Sequence, residues 1–168
     1  MLGRQVTMMT LTEEMVWEAL QEVKDPEIPV ISLVEMGIVR EVVCTGEAIK
    51  VKMIPTFSGC PALVEMERLI EERLLALGAA AVEVEVLLKP AWSSDWITDE
   101  GRAKLKAFGL QPPHKHGGNI VQTFFEPVTC PRCDSPQTTL KNSFGSTLCR
   151  SIWVCDNCLE PFEQFKAL

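Results

Sequence analysis

Histidine is scarce in this chain, with two in 168 residues, at positions 114 and 116. Both stand in one Pro- and Gly-rich stretch, far along the sequence from any candidate nucleophile, so no Cys-His-Asn arrangement can be assembled. The same shortage excludes a carboxylate–histidine set for a di-iron centre. A Gly-rich phosphate loop, a flavin or nicotinamide fingerprint and plant-type cluster spacing are missing as well. An oxygenase catalytic subunit would need some of these. Long apolar runs are absent: nowhere do eighteen apolar residues follow one another, and "MLGRQVTMMTLTEEM" has no continuous apolar segment behind Arg4. Neither a signal peptide nor a membrane span is expected, and the expected compartment is the cytoplasm. Positive charge is in short supply, 16 Lys and Arg against 23 Asp and Glu for a net charge of −7, and such a surface repels phosphate backbones. Proteins are the expected partners, with no nucleic acid and no membrane. There is no internal repeat and no low-complexity tract.

With 46% apolar and 23% charged residues, the composition is that of a globular chain. "TLTEEMVWEALQEVKDPEIPV" predicts a helix capped at Thr10 or Thr12, with Val16, Leu20 and Val23 on one face, ended by Asp25-Pro26. "GIVREVVC" and "AIKVKMI", joined through Thr45-Gly46-Glu47, predict a β-hairpin in which Ile49, Val51 and Met53 share one face. "CPALVEMERLIEERLLALG" predicts a helix with Pro61 at its first position, Leu63, Met66, Ile70 and Leu77 on its buried stripe and Gly78 as its stop. The alternation of "AVEVEVLL" predicts a half-buried third strand reached by that crossover helix. In "PAWSSDWITDEGRAKLKAFG" a short helix is expected, capped by Thr98, with Leu105 and Phe108 inward and Gly109 closing it. The predicted fold class is α+β: an α-β-β-α-β domain with a three-stranded mixed sheet, followed by a small β ribbon. "LQPPHKHGGN" cannot sustain periodic structure, which places a first domain at residues 1–110, a linker at 111–119 and a second unit at 120–168. His114 and His116 read there as solvated linker residues.

Cysteine is plentiful. Four of the seven form two C-x-x-C pairs, Cys130 with Cys133 and Cys155 with Cys158, separated by 21 residues. In a reducing compartment that pattern reads as a metal site, because each knuckle turns two thiolates toward one tetrahedral centre. Four sulfur ligands leave no open position, so the site is structural, and zinc is the expected ion, although a Cys₄ set suits iron as well. A module of about 45 residues buries too little apolar surface to fold unaided, which makes metal binding part of its folding. From Val128 onward, Arg132, Lys141, Arg150 and Lys166 balance Asp134, Asp156, Glu160 and Glu163, leaving no basic footprint for nucleic acid. Cys149 has two readings, a small buried hydrophobe beside the ribbon or a spare ligand for a transferred metal or cluster. Cys44, on a hairpin strand, reads as a packing residue.

The second constellation is "DPEIPV" with "PTFSGCP". Cys60 stands before Pro61 at the start of a helix, where free N–H groups and the dipole favour thiolate. It reads either as a nucleophile or soft metal ligand, or as an inert capping thiol. Asp25 and Glu27 flank a proline that either aims their carboxylates at a site or merely stops a helix.

These stretches are familiar in combination. "DPEIPVISLVEMGIV", a hairpin, "PTFSGCP", a valine-rich strand and "PAWSSDWITDEGRAKL" resemble the SufT-like iron–sulfur assembly domain across roughly residues 12–110. "CPRCDSPQTTLKNSFGSTLCRSIWVCDNCLEPFEQFK" resembles the C-terminal extension of the PaaD family, which accompanies the phenylacetyl-CoA ring 1,2-epoxidase. The resemblance implies that Asp25, Glu27, Thr56 and Cys60 occupy the family's iron or cluster contact positions. It implies further that Cys130, Cys133, Cys155 and Cys158 hold structural Zn²⁺, and that Cys149 falls in the family's "FGST-x-C" element. Where the family has Gly after the first knuckle this chain has Asp134, which puts that turn in question. The implied role is an accessory factor without enzymatic activity, assisting iron–sulfur cluster assembly or insertion in an oxygenase-system partner, the reductase component above all. Such a factor would hold iron or a cluster transiently. Its implied partners are oxygenase and reductase proteins and the iron–sulfur assembly machinery, and association with copies of itself is compatible with this. The rival reading is a non-catalytic zinc-ribbon subunit of the oxygenase complex, in which Cys60 only caps a helix.

Overall fold

The computed structural model describes residues 11–123 and 126–168. Helix α1, Glu13–Leu20, starts at Thr12, whose hydroxyl accepts from the Met15 amide, and buries Val16 and Leu20; Thr10 lies outside the described residues. The helix ends at Gln21 rather than at Asp25-Pro26. The chain then turns back on itself: Lys24 and Ser32 form an antiparallel bridge, Leu33 donates to the Val23 carbonyl and Asp25 to that of Ile31. Those pairings compete for the backbone groups a longer helix would use, and they carry Ile28 and Ile31 into the core.

Strands β1, Val39–Thr45, and β2, Ala48–Met53, form the expected antiparallel hairpin, with Ile49, Val51 and Met53 buried. Helix α2, Leu63–Leu77, buries Met66, Ile70 and Leu74 and closes on Gly78 in the left-handed region. It begins two residues later than Pro61 predicts, with Pro61 and Ala62 in a turn ahead of it. Strand β3, Ala81–Val86, returns parallel to β2, giving the mixed order β1-β2-β3. Because β2 and β3 are parallel, the β2–α2 loop lies at their carboxyl ends, where α/β folds hold ligands.

A 3₁₀ turn, Ser94–Trp96, leads to helix α3, Asp99–Phe108, capped by the Thr98 hydroxyl and closed by Gly109. Leu105 is buried as expected; Phe108 is 49% exposed, on the solvent side of the last turn. Strand β4, Leu110–Gln111, pairs parallel with β7 below, and helix α4 is the short turn Ile120–Thr123. Strands β5, Thr138–Asn142, β6, Arg150–Cys155, and β7, Pro161–Phe165, complete a sheet ordered β4-β7-β6-β5. Among the described residues no helix is long and apolar enough to cross a membrane.

The two sheets share packing. Phe165 of β7 is 1% exposed and belongs to the large core of the first module, where it meets Trp92 edge to face at 5.8 Å. His116 is not a solvated residue: its side chain is 6% exposed, its Nε2 lies 3.3 Å from the Ser93 hydroxyl and 3.2 Å from the Leu168 carbonyl, and its amide donates to Asp95. The proline- and glycine-rich stretch thus latches the C-terminus, with Ser94 N–H donating to the Leu168 carbonyl. His114, 45% exposed, fits the expectation better.

Ser32 and Glu35 cap one another reciprocally: the Ser32 amide donates to the Glu35 carboxylate at 2.8 Å and the Glu35 amide to the Ser32 hydroxyl at 3.0 Å. Burial opposes the Glu35 charge, but the Lys104 ammonium and the Ser32 donors outweigh it and hold the carboxyl below its usual range. A depressed pKa adds stability that is fully present above the ordinary glutamate range and is lost as pH falls through the folded value. Glu35→Gln should cost about 1–3 kcal/mol at neutral pH, and its melting temperature should fall less steeply than the parent's between neutral and acid pH, as calorimetry would show. Phe165→Ala should destabilise the first module as well as the ribbon, by about 3–5 kcal/mol in denaturant titrations.

Candidate functional site

The four knuckle cysteines converge. Their sulfur atoms all lie within 4.8 Å of one another, with Cys130 and Cys158 3.8 Å apart and Cys133 and Cys155 3.6 Å apart. Sulfurs at about 2.3 Å from a tetrahedral zinc stand about 3.8 Å from each other, so the set fits that ion. Cys130 and Cys155 are fully buried among Val128 and Phe162, while Cys133 is exposed. The Ser135 amide, assisted by the Asn157 side chain, holds the Cys133 thiol down to about 6, in the range where it ligates as thiolate. Each knuckle closes through one left-handed residue, Asp134 at φ 58° and Leu159 at φ 62°. Asp134 therefore takes the conformation that glycine would adopt there without strain, and its carboxylate pairs with Lys106 of α3.

A different place gathers the other candidates. The β2–α2 loop presents Thr56, Phe57, Cys60 and Pro61 to an open cavity of about 290 Å³ that Glu27 also lines. Asp25 stands behind it. Buried to 6% exposure, it commits Oδ1 to the amides of Glu27 and Ile28, at 2.8 and 2.9 Å, and so shapes the loop that delivers Glu27. Burial pushes the Asp25 carboxyl up, against those two amides and the Arg150 charge.

Cys60 differs from the expectation of a helix-activated thiolate. With α2 starting at Leu63, Cys60 sits in a turn, its amide donating to the Phe57 carbonyl. Burial pushes its thiol up; the Ala62 amide pulls it down, and the carboxylates of Asp25 and Glu27 push it up again. Burial prevails, so the thiol stands above its ordinary range rather than being a helix-activated thiolate.

The opposite wall comes from the second module. The β5–β6 loop contributes Phe144, Gly145, Ser146, Thr147, Leu148 and Cys149. Arg150 fixes it: the guanidinium, on a side chain 9% exposed, donates to Glu163 at 2.9 Å and to the main-chain carbonyl of Glu27 at 3.1 Å. Glu163 in turn accepts from the Ser146 amide and hydroxyl. A Cβ on Gly145 would lie 2.7 Å from the Glu163 carboxylate and 2.9 Å from Arg150 Cβ, so only glycine lets the loop come this close. The reading of single segments gave Arg150 and Glu163 only as balancing charges; the signal available was the "FGST-x-C" element that ends beside Arg150.

Comparison with known proteins joins the two halves. Residues 13–86 match the family described as iron–sulfur cluster assembly protein, and residues 121–166 match the PaaD zinc beta ribbon domain. A curated protein of Escherichia coli (strain K12), named as a putative subunit of 1,2-phenylacetyl-CoA epoxidase, is 40% identical over 154 residues, covering 91% of this chain and 92% of that protein. Among solved structures, a conserved hypothetical protein from Thermotoga maritima is 30% identical at a TM-score of 0.50, covering 57% of this chain and 95% of that one. A domain of unknown function from Bacillus anthracis, 24% identical over 55% of this chain and 90% of that one at a TM-score of 0.52, shares the fold. Each of these structural relatives covers little more than half of this chain. With the two matches standing in this order and the identity to the curated relative running through nearly the whole length, the chain belongs to the PaaD family, an iron–sulfur-assembly-type domain extended by a zinc β ribbon.

Proposed function

We propose that this protein is an accessory maturation factor of a phenylacetyl-CoA epoxidase system, handling iron or an iron–sulfur cluster for a partner, with the reductase component as the client. Residues 1–110 form the assembly domain and 120–168 the ribbon, with 111–119 connecting them. The observation that carries the reading is the convergence of Cys60, Thr56 and Glu27 on one solvent-open cavity, apart from the closed Cys₄ set and at the carboxyl ends of two parallel strands. The family match of the first module and the name of the 40%-identical relative supply its context.

The chemistry follows from the donors. The Cys60 sulfur is the soft ligand, releasing its proton to solvent as it binds the cargo. Glu27 and Thr56 offer oxygen donors beside it, and Asp25 positions Glu27 through the turn it closes. One sulfur with weak oxygen donors in an open cavity holds cargo loosely, as delivery requires; four sulfurs around a closed centre hold it permanently. Cys130, Cys133, Cys155 and Cys158 would bind Zn²⁺, which supplies the folding free energy that the small ribbon core lacks.

Protein purified without air should contain about one zinc per chain, lost in Cys155→Ser, because a Cys₄ site with one ligand removed no longer closes. Metal and acid-labile sulfide analysis measures this, and stoichiometric iron with sulfide in the ribbon would overturn the zinc assignment. Cys60→Ala should fold and keep its zinc, yet cells carrying it should accumulate a reductase deficient in cluster and grow poorly on phenylacetate. Asp25→Ala should act in the same direction more weakly, with about tenfold lower metal affinity at Cys60. Full client cluster content and normal growth with Cys60→Ala would leave the chain a structural subunit of the epoxidase complex.

A further inference from the structure

The cavity beside Cys60 has a second sulfur wall. Cys149 arrives there from the ribbon, on a loop anchored at several points: the Lys166 amide donates to the Cys149 carbonyl at 2.9 Å, the Lys166 ammonium to the Leu148 carbonyl at 2.8 Å, and the Gly145 amide to the Arg150 carbonyl at 2.8 Å. Its sulfur lies 3.0 Å from the Thr147 hydroxyl. Cys60 is held from the other side by the turn before α2. Neither thiol belongs to the Cys₄ cluster.

We propose that Cys60 and Cys149 together form a two-sulfur site for a divalent transition-metal ion that accepts thiolate ligation, bound between the two modules. The inference rests on the reading of Cys60 given above and adds the ribbon to it. Two thiols lining one cavity match ions that accept sulfur ligands, such as ferrous iron or cobalt, and exclude hard ions that want oxygen alone. Fewer than four protein ligands leave a coordination position open, the opposite of the ribbon's closed set. The rim supports transfer: Phe57, Phe144 and Leu148, 43%, 59% and 51% exposed, surround the opening with apolar surface that a partner protein would cover while leaving the sulfurs in reach. Binding is ligand exchange without a redox change. Each thiol gives its proton to solvent, two sulfur–metal bonds form, and two waters leave the ion.

The two thiols also sense one another. Burial first, and the Asp25 carboxylate in addition, push both up, and each would be harder to ionise beside the other's charge. A bound cation removes that repulsion, so metal uptake and deprotonation proceed together.

The test uses the full chain with its ribbon loaded with zinc, reduced and without air, titrated with cobalt(II). The expected result is a near-ultraviolet thiolate-to-cobalt band saturating at about one cobalt per chain. Cys149→Ser should roughly halve that band and weaken binding at least about tenfold while keeping the ribbon zinc. If Cys149→Ser keeps the parent's band and affinity while Cys60→Ser loses both, the two-sulfur site is wrong and the reading of Cys60 stands. If the parent itself gives no thiolate band, the site is wrong, and the role of Cys60 is decided by the client's cluster content alone. Should Cys149→Ser fail to fold, alkylation of the unaltered chain decides the matter. Bound cobalt should slow iodoacetamide modification of both Cys60 and Cys149 at least about tenfold and leave Cys44 unaffected, and protection of Cys60 without Cys149 overturns the proposal.

Discussion

The Arg150 guanidinium, nearly buried at the first residue of β6, divides its donors between Glu163 of the adjacent strand and the main-chain carbonyl of Glu27 in the other module. A buried charge is tolerable only when paired, and removing one partner of such a pair costs about 3–5 kcal/mol. That constraint fixes three things together. The Glu163 carboxylate, held by Arg150, orders the Ser146 end of the β5–β6 loop; the Glu27 carbonyl holds the DPEIP turn against the ribbon; and the space left between them is the cavity that Cys60 and Cys149 line. Trp92 and Phe165 supply the apolar counterpart, seating β7 in the core of the first module.

The chain thus has two sulfur environments of different geometry. In the ribbon, four thiols face each other around one point and are backed by a core of a few residues, so a metal bound there would contribute directly to folding. At the cavity, the walls are held by the main core, from Val16 and Leu20 of α1 through Ile70 and Leu74 of α2 to Phe165. The acidic turn around Asp25 and Glu27 adds to burial in disfavouring an ionised Cys60.

Much of the architecture was readable because local physics agreed with the final packing. Alternation of Ile49, Val51 and Met53 against lysines fixed the buried face of β2; the Thr98 hydroxyl and Gly109 bounded α3; two C-x-x-C pairs announced their own convergence. The readings that needed correction are those in which a tertiary partner overrode a local preference. Helix α1 stops at Gln21 because Val23 and Asp25 are taken by the returning Ser32–Leu33 segment. Pro61 belongs to a turn rather than a first helical position, since the loop must bring Cys60 back over the sheet end. Phe108 points outward because Leu105 already fills the core beneath α3, and His116 is buried because the C-terminal residue folds back onto it.

The main elements of the first module, the mixed three-stranded sheet and the C-x-x-C knuckles were legible from periodicity, capping and ligand spacing within a few dozen residues, whereas Glu27, Thr56 and Cys60 were singled out together by the family resemblance. That Asp25 shapes a turn instead of lining the cavity, and that Cys149 shares the cavity with Cys60, emerges from the packing of distant segments. Those two facts depend on where a ribbon far along the chain docks, and the buried Arg150 charge, the close fit at Gly145 and the Trp92–Phe165 pair are among the contacts that hold it there. No segment read alone contains that information, because the pairing energy of Arg150 with the Glu27 carbonyl exists only once both modules have folded and met.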